Sequence, residues 1–420
     1  MKRFRIILAA IVLAGAAGHN AATAAEVKIT VEQCEGSAMP YPTVDPLLAA
    51  IPDSLTPVFI NHVGRHGARF MSSAKTVDKV EKHLRKAETD GTLTDKGRQM
   101  LKLCESVRTA TAQRWGALDS LGMAEQRAIA SRMHKLCPDL FNGTKVNAIA
   151  SRVPRCVASM DEFTHQLTRL NNNVEIYTSS GPQNSPLVRP WESDTYYQDY
   201  INAGEWRKVL DDYAATTVPT TVAKAMGVAT GTDKEDRDFS RDVFKIVSAC
   251  GAMGMNIDMT RYLSKQELAL MWSVSNLEHY LTHSASTLSQ AAPQMTSALV
   301  SNLIKTLEEA ASGKNPYTVM LRFGHAETMM PLLAQLHIPG CYYMTNYFDT
   351  VEQHWRDFYV IPMASNLRMI LLRANSGRMY VRVDFNEVPT TLIPGRTTIY
   401  TPLADALEYM NKCLPIEYQL

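Results

Sequence analysis

The stretch FINHVGRHGARFM, residues 59–71, sets two arginines, a histidine and a glycine directly behind an apolar run. Phe59, Ile60 and Val63 have the character of a buried strand, so Arg65-His66-Gly67-Ala68-Arg69 falls at that strand's C-terminal edge, where open α/β sheets place their ligand sites. Guanidinium is permanently charged, and its planar fork matches phosphate oxygens. Neighbouring positive charge disfavours the imidazolium form of His66, which keeps a ring nitrogen's lone pair available for nucleophilic attack. Gly67 is expected to let the backbone turn tightly beside the ligand.

A second stretch of the same kind is PYTVMLRFGHAETMMPLLAQL, residues 316–336. It predicts a strand over Thr318–Phe323, a break at Gly324, and a helix that tolerates Pro331 only in its first turn. His325 is then a donor to phosphoryl oxygens, and Glu327 an acid for a leaving alkoxide. In KVNAIASRVPR, a strand from about Lys145 to Ala150 is followed by a turn and a helix, which puts Arg155 just behind a third strand end. Arg65, Arg69 and Arg155 form a set that can grip a phosphoryl group from several sides.

Around these motifs, residues 74–141 carry helical spacing for two to four helices, and VEIYTSS (174–180) reads as a strand. Strand signals are sparse from Gly181 to about Gly313, where three long segments have helical periodicity. LRMILLRANSGRMYVRVDFNEVP (367–389) is a hairpin around Asn375-Ser376-Gly377. The expected organisation is an α/β domain built from 25–180 and 314–420, with a mainly helical domain over 181–313.

Residues 1–24 have the form of a secretory signal peptide: Lys2, Arg3 and Arg5, an apolar run from Ile6 to Ala17, then Ala22 and Ala24 flanking Thr23. The expected product is exported, periplasmic or secreted, with no transmembrane segment after signal removal. Removing three cations from 43 basic residues leaves 40 against 42 acidic ones, a balance of −2. That argues against a broad nucleic-acid surface and for a concentrated anion site. Seven cysteines permit disulfides in an exported chain, although the odd number leaves at least one outside any internal pair, and none forms CxxC. His279 and His283 have metal-pair spacing on a predicted helix but lack the acidic residue of HExxH, and are read as structural. Arg189 is read either as a contact for peripheral phosphates or as packing on Trp191.

RHGAR and HAE, about 260 residues apart, together resemble the histidine acid phosphatase family, in the branch of the multiple inositol polyphosphate phosphatases. RCVASMDEF (155–163), GHAETMMPLL (324–333) and FNEVPTTLIPG (385–395) resemble that branch as well. The resemblance implies a phosphoglycerate-mutase-like α/β domain with a helical domain beside it. It implies His66 as nucleophile, Glu327 as acid, and Arg65, Arg69, Arg155 and His325 as phosphate holders, with inositol phosphates as small-molecule substrates and no metal or organic cofactor. Met71 stands where the family usually has proline, and Met160 where alanine is common. A phosphoglycerate-mutase-type phosphotransferase and a non-catalytic binder of phosphorylated ligands are the alternatives.

Overall fold

The computed structural model describes residues 29–44 and 50–419, so the signal-peptide reading lies outside the described residues. Eight strands are present among them: β1 (Leu55–Arg65), β2 (Lys145–Ala150), β3 (Glu175–Ser180), β4 (Val319–Gly324), β5 (Asn366–Ala374), β6 (Met379–Phe385), β7 (Val388–Thr390) and β8 (Tyr400–Pro402). They form one mixed sheet in the order β3-β2-β4-β1-β5-β6-β7, with β8 also paired to β6. Strands β3, β2, β4 and β1 run parallel, and the remainder are added antiparallel.

β1 is central and covered on both faces, which is why it lacks polar alternation. Phe59 and Val63 enter one apolar core, whereas Ile60 enters another on the opposite face. The second core is closed by helices Ser120–Leu136 and Pro154–Leu170 through Ile129, Met133, Phe163 and Leu167. The first is larger and joins β1 to helices Lys75–Thr89, Asp95–Thr111, Asp233–Ala249, Lys265–His283 and Ser297–Ala311.

Helix starts follow local chemistry. The Thr94 and Asp119 side chains accept from Gly97 N and Gly122 N at their helix N-termini, and Ser264 forms a reciprocal capping box with Glu267. Helix Pro154–Leu170 begins on a proline, whose missing N–H costs nothing there.

Register places the site. Arg65 of β1 lies opposite Gly324 of β4, and Ala150 of β2 opposite Phe323, so the residues following all three strands emerge at one edge. His66 N donates to Gly324 O at 3.1 Å and Ser151 N to Phe323 O at 2.9 Å.

One expectation differs. Pro331 lies in the second turn of helix Ala326–Gln335, not its first, which leaves the Glu327 carbonyl without its helical donor. All seven cysteines, whose pairing the sequence leaves open, are free among the described residues, and six of them are buried. Charges also enter the sheet interior, where Arg368 and Arg382 share Asp384 at 2.6 and 2.7 Å. Buried Arg322 has no carboxylate and donates instead to Asn61 and Asn302 side-chain oxygens. Among the described residues no helix is long and apolar enough to cross a membrane.

Candidate active site

His66 is buried directly after β1, and its Nδ1 lies 2.9 Å from its neighbour's carbonyl, Gly67 O. A carbonyl only accepts, so Nδ1 carries the proton and Nε2 holds the free lone pair. Burial, then the charges of Arg65, Arg155 and Arg69, hold the ring well below its usual proton affinity. The ring is therefore held towards its neutral form, with one nitrogen open.

The Gly67 peptide that orients this ring is itself fixed. Its N–H donates to Ser159 Oγ at 3.1 Å, and Ser159 Oγ donates to Arg155 O at 2.8 Å, so the helix that carries Arg155 also sets the histidine. Gly67 does not adopt a left-handed backbone. Its lack of a side chain serves a close approach instead, because a Cβ there would lie 2.5 Å from Gly122 O. Gly122 is equally constrained, with a Cβ falling 2.1 Å from Ala68 O. Beneath the loop, Glu125 accepts from Ala68 N (2.7 Å) and Tyr41 N (2.8 Å), and Gln126 donates to Arg65 O (3.0 Å).

Three guanidinium groups converge on this point. Arg65 spends one nitrogen on Ser37 O and Ile361 O, both at 2.6 Å, and Arg69 donates to Phe70 O at 2.9 Å. Each of Arg65, Arg69 and Arg155 keeps a buried Nε without a protein partner. Burial and the neighbouring guanidinium bring Arg65 down to about 9 and Arg69 to about 10, which leaves both cationic at neutral pH. Buried donors of one sign, unpaired, describe an anion site.

His325 follows β4, its ring centroid 5.8 Å from that of His66. Arg155 Nη2 lies 3.3 Å from its Nδ1, and Arg189 Nη1 lies 3.0 Å from its Nε2, which also contacts Ser151 Oγ at 2.8 Å. A neutral imidazole accepts at one nitrogen only, so both guanidinium contacts cannot be satisfied by the ring; an anion between them resolves the conflict. Arg189 also lies over the Trp191 ring at 4.9 Å, as the packing reading of this residue expects. Cys156 packs behind the ring and donates to Gly324 O at 3.2 Å.

Glu327 is the second residue of helix Ala326–Gln335. Burial raises its proton affinity, while its interplay with His283 and His325, a helix N–H and Arg65 favour the carboxylate and together hold the carboxyl below its usual range. The site thus brings together all six residues expected from the sequence. It also contains Ser151, Ser159, Gly122 and Glu125, whose small, polar or apolar settings carry no motif signal, and His283, which the sequence reads as structural.

The sequence pattern of the histidine phosphatase superfamily (branch 2) matches residues 58–386, a span that runs from β1 past β6. The chain belongs to this superfamily branch. As a histidine acid phosphatase family member it shares its fold with the multiple inositol polyphosphate phosphatase of Bifidobacterium longum, solved with inositol hexasulfate, at 15% identity and a TM-score of 0.76. That match covers 92% of this chain and 98% of the other. The phytase of D. castellii is similar at 16% identity and a TM-score of 0.73, covering 93% and 87% of the two chains. The phytase of Citrobacter braakii is a more distant relative in fold, with 14% identity and a TM-score of 0.53 over 87% of this phosphatase.

Proposed function

We propose that the chain is an exported phosphomonoesterase that hydrolyses phytate and other inositol polyphosphates through a covalent phosphohistidine. One observation carries the reading: the bare Nε2 of His66 stands among buried, unpaired guanidinium donors, with an acid residue at the adjoining helix start. His66 Nε2 attacks phosphorus; the P–N bond forms as the ester P–O bond breaks, and Glu327 gives a proton to the leaving oxygen. Water then attacks the phosphohistidine, Glu327 takes its proton, and phosphate leaves with His66 restored.

The arginines and His325 hold the equatorial oxygens, where charge grows in the transition state. Glu327 is held below the usual carboxyl range in the free protein. A bound polyanion opposes the cations that hold it so, raising its affinity for the proton it must give. The acid is loaded when substrate arrives. The proposed organisation keeps 25–180 with 314–420 as the α/β unit and 181–313 as the helical one, with residues 1–24 removed on export.

The test is phosphate release from phytate by the chain lacking residues 1–24, beside His66→Ala. Turnover is expected from the parent and a loss of about a thousandfold or more in the variant. The parent is further expected to yield an acid-labile, alkali-stable phosphoenzyme on rapid quenching. Near-normal release by His66→Ala would overturn the mechanism.

A further inference from the structure

His279 and His283 carry no role in the sequence beyond support, but their surroundings join the catalytic centre. Helix Lys265–His283 touches helix Ala326–Gln335, and the Glu327 carboxylate lies near enough for its charge to favour protonation of both rings. The two histidines differ in what remains free. Thr282 Oγ1 gives its proton to Glu278 O at 2.6 Å and so accepts from His283 Nδ1 at 2.7 Å. Tyr197 OH then donates to His283 Nε2 at 3.2 Å. His283 is a neutral, fully engaged piece of wall.

His279 has one partner only on its Nδ1 side, Asp357 Oδ2 at 2.9 Å. That carboxylate is buried and also accepts from Trp272 Nε1 at 2.9 Å and Ser37 N at 3.2 Å, which fixes its orientation. The His279 side chain keeps 27% of its exposure, against 1% for Asp357. With Nδ1 turned to the carboxylate, Nε2 has no hydrogen-bond partner among the described residues.

Ser37 ties this pair to the phosphate-binding arginine. Its N–H rests on Asp357 and its carbonyl accepts from Arg65 Nη1. The other carbonyl on Arg65 Nη1 belongs to Ile361, whose N–H closes the short helix Asp357–Val360 on Asp357 O at 2.7 Å. Arg65 and His279 are mounted on one small frame, one on each side.

We propose that His279, held by Asp357, is a second phosphate-binding group of the same cleft, gripping a neighbouring phosphate of the substrate while another is seated at His66. The inference rests on the inositol polyphosphate reading. A vicinal phosphate dianion needs a partly desolvated charged donor, and an imidazole backed by a buried carboxylate supplies one without moving. A ligand with a single phosphate has no use for it.

The experiment compares phytate with p-nitrophenyl phosphate in the parent, His279→Asn and His279→Gln. Asparagine retains a donor towards Asp357 and removes the Nε2 edge; glutamine restores a donor near that edge. In His279→Asn the ratio of kcat/KM for phytate to that for p-nitrophenyl phosphate is expected to fall about tenfold, the scale of one charge-assisted hydrogen bond, through KM. His279→Gln is expected to recover part of it. An unchanged ratio in a variant that still turns over both substrates overturns this inference alone. A parent that cleaves p-nitrophenyl phosphate but neither cleaves nor binds phytate overturns the substrate reading and this inference with it. Should His279→Asn not fold, His279→Gln carries the same comparison, and a ratio equal to the parent's in His279→Gln, with a wild-type KM for phytate, then counts against the charge.

Discussion

At His66 the position of one proton decides whether the ring can act. The Gly67 carbonyl holds it on Nδ1, and that peptide is held in turn by Ser159 and by the backbone contact with Gly122. A methyl group at Gly122 would meet the Ala68 carbonyl, which is main chain and cannot swing aside. Gly122→Ala is expected to lower kcat about a hundredfold through displacement of the His66 loop, the cost of roughly an ångström of misplacement. Near-parental kcat in a folded Gly122→Ala protein would contradict this role. The charged and nucleophilic residues were legible because their types are rare at strand ends and chemically specific. Gly122 and Ser159 were not, since a glycine in a helix and a serine facing inward acquire meaning only when two distant segments are brought into contact.

At the scale of elements, the sheet's central strands and the long helices were readable from period and from turn residues. The β5–β6 hairpin was found at its Asn-Ser-Gly turn, and β2 at its full length. What the pattern concealed is the charge inside that hairpin. Arg368 and Arg382 look like outward-facing residues of alternating strands, yet both are buried and share Asp384. The pairing is invisible until the strands are set in register, with Arg368 opposite Asp384. Asp384→Asn leaves two guanidinium groups buried against a neutral amide, and is expected to destabilise the fold by about 3–5 kcal/mol. Urea unfolding measures this; a midpoint within error of the parent's would show that the pair is dispensable.

For the whole molecule, buried titratable groups set the response to pH. His62, His66, His283 and His325 are all pushed by burial below the ordinary 6.5. Each contributes stability that is present above 6.5 and lost as pH falls through the folded value. Glu125 and Glu35 act oppositely, since burial raises them from 4.5 to about 7 and about 8. Their contribution is complete below 4.5 and lost as pH rises through those values, and His279, raised by Asp357 against its own burial, loses its share on the same side. Asp119, Asp242 and Glu352 are raised by burial as well, so between 4.5 and 6.5 the two sets oppose each other, whereas above 6.5 only the losses remain. Urea midpoints are expected to fall from pH 6.5 towards pH 8.5, and a midpoint that climbs steadily to pH 8.5 would refute this balance. The order of strands has a further consequence for how the chain is made. β4 lies between β1 and β2 but is synthesised after both, with Gly324 completing a pairing begun at Arg65. A nascent chain halted before residue 319 has two strands with nothing between them, no His325 and no Glu327. Such a chain cannot close its central sheet, because the strand that belongs between β1 and β2 has yet to be made.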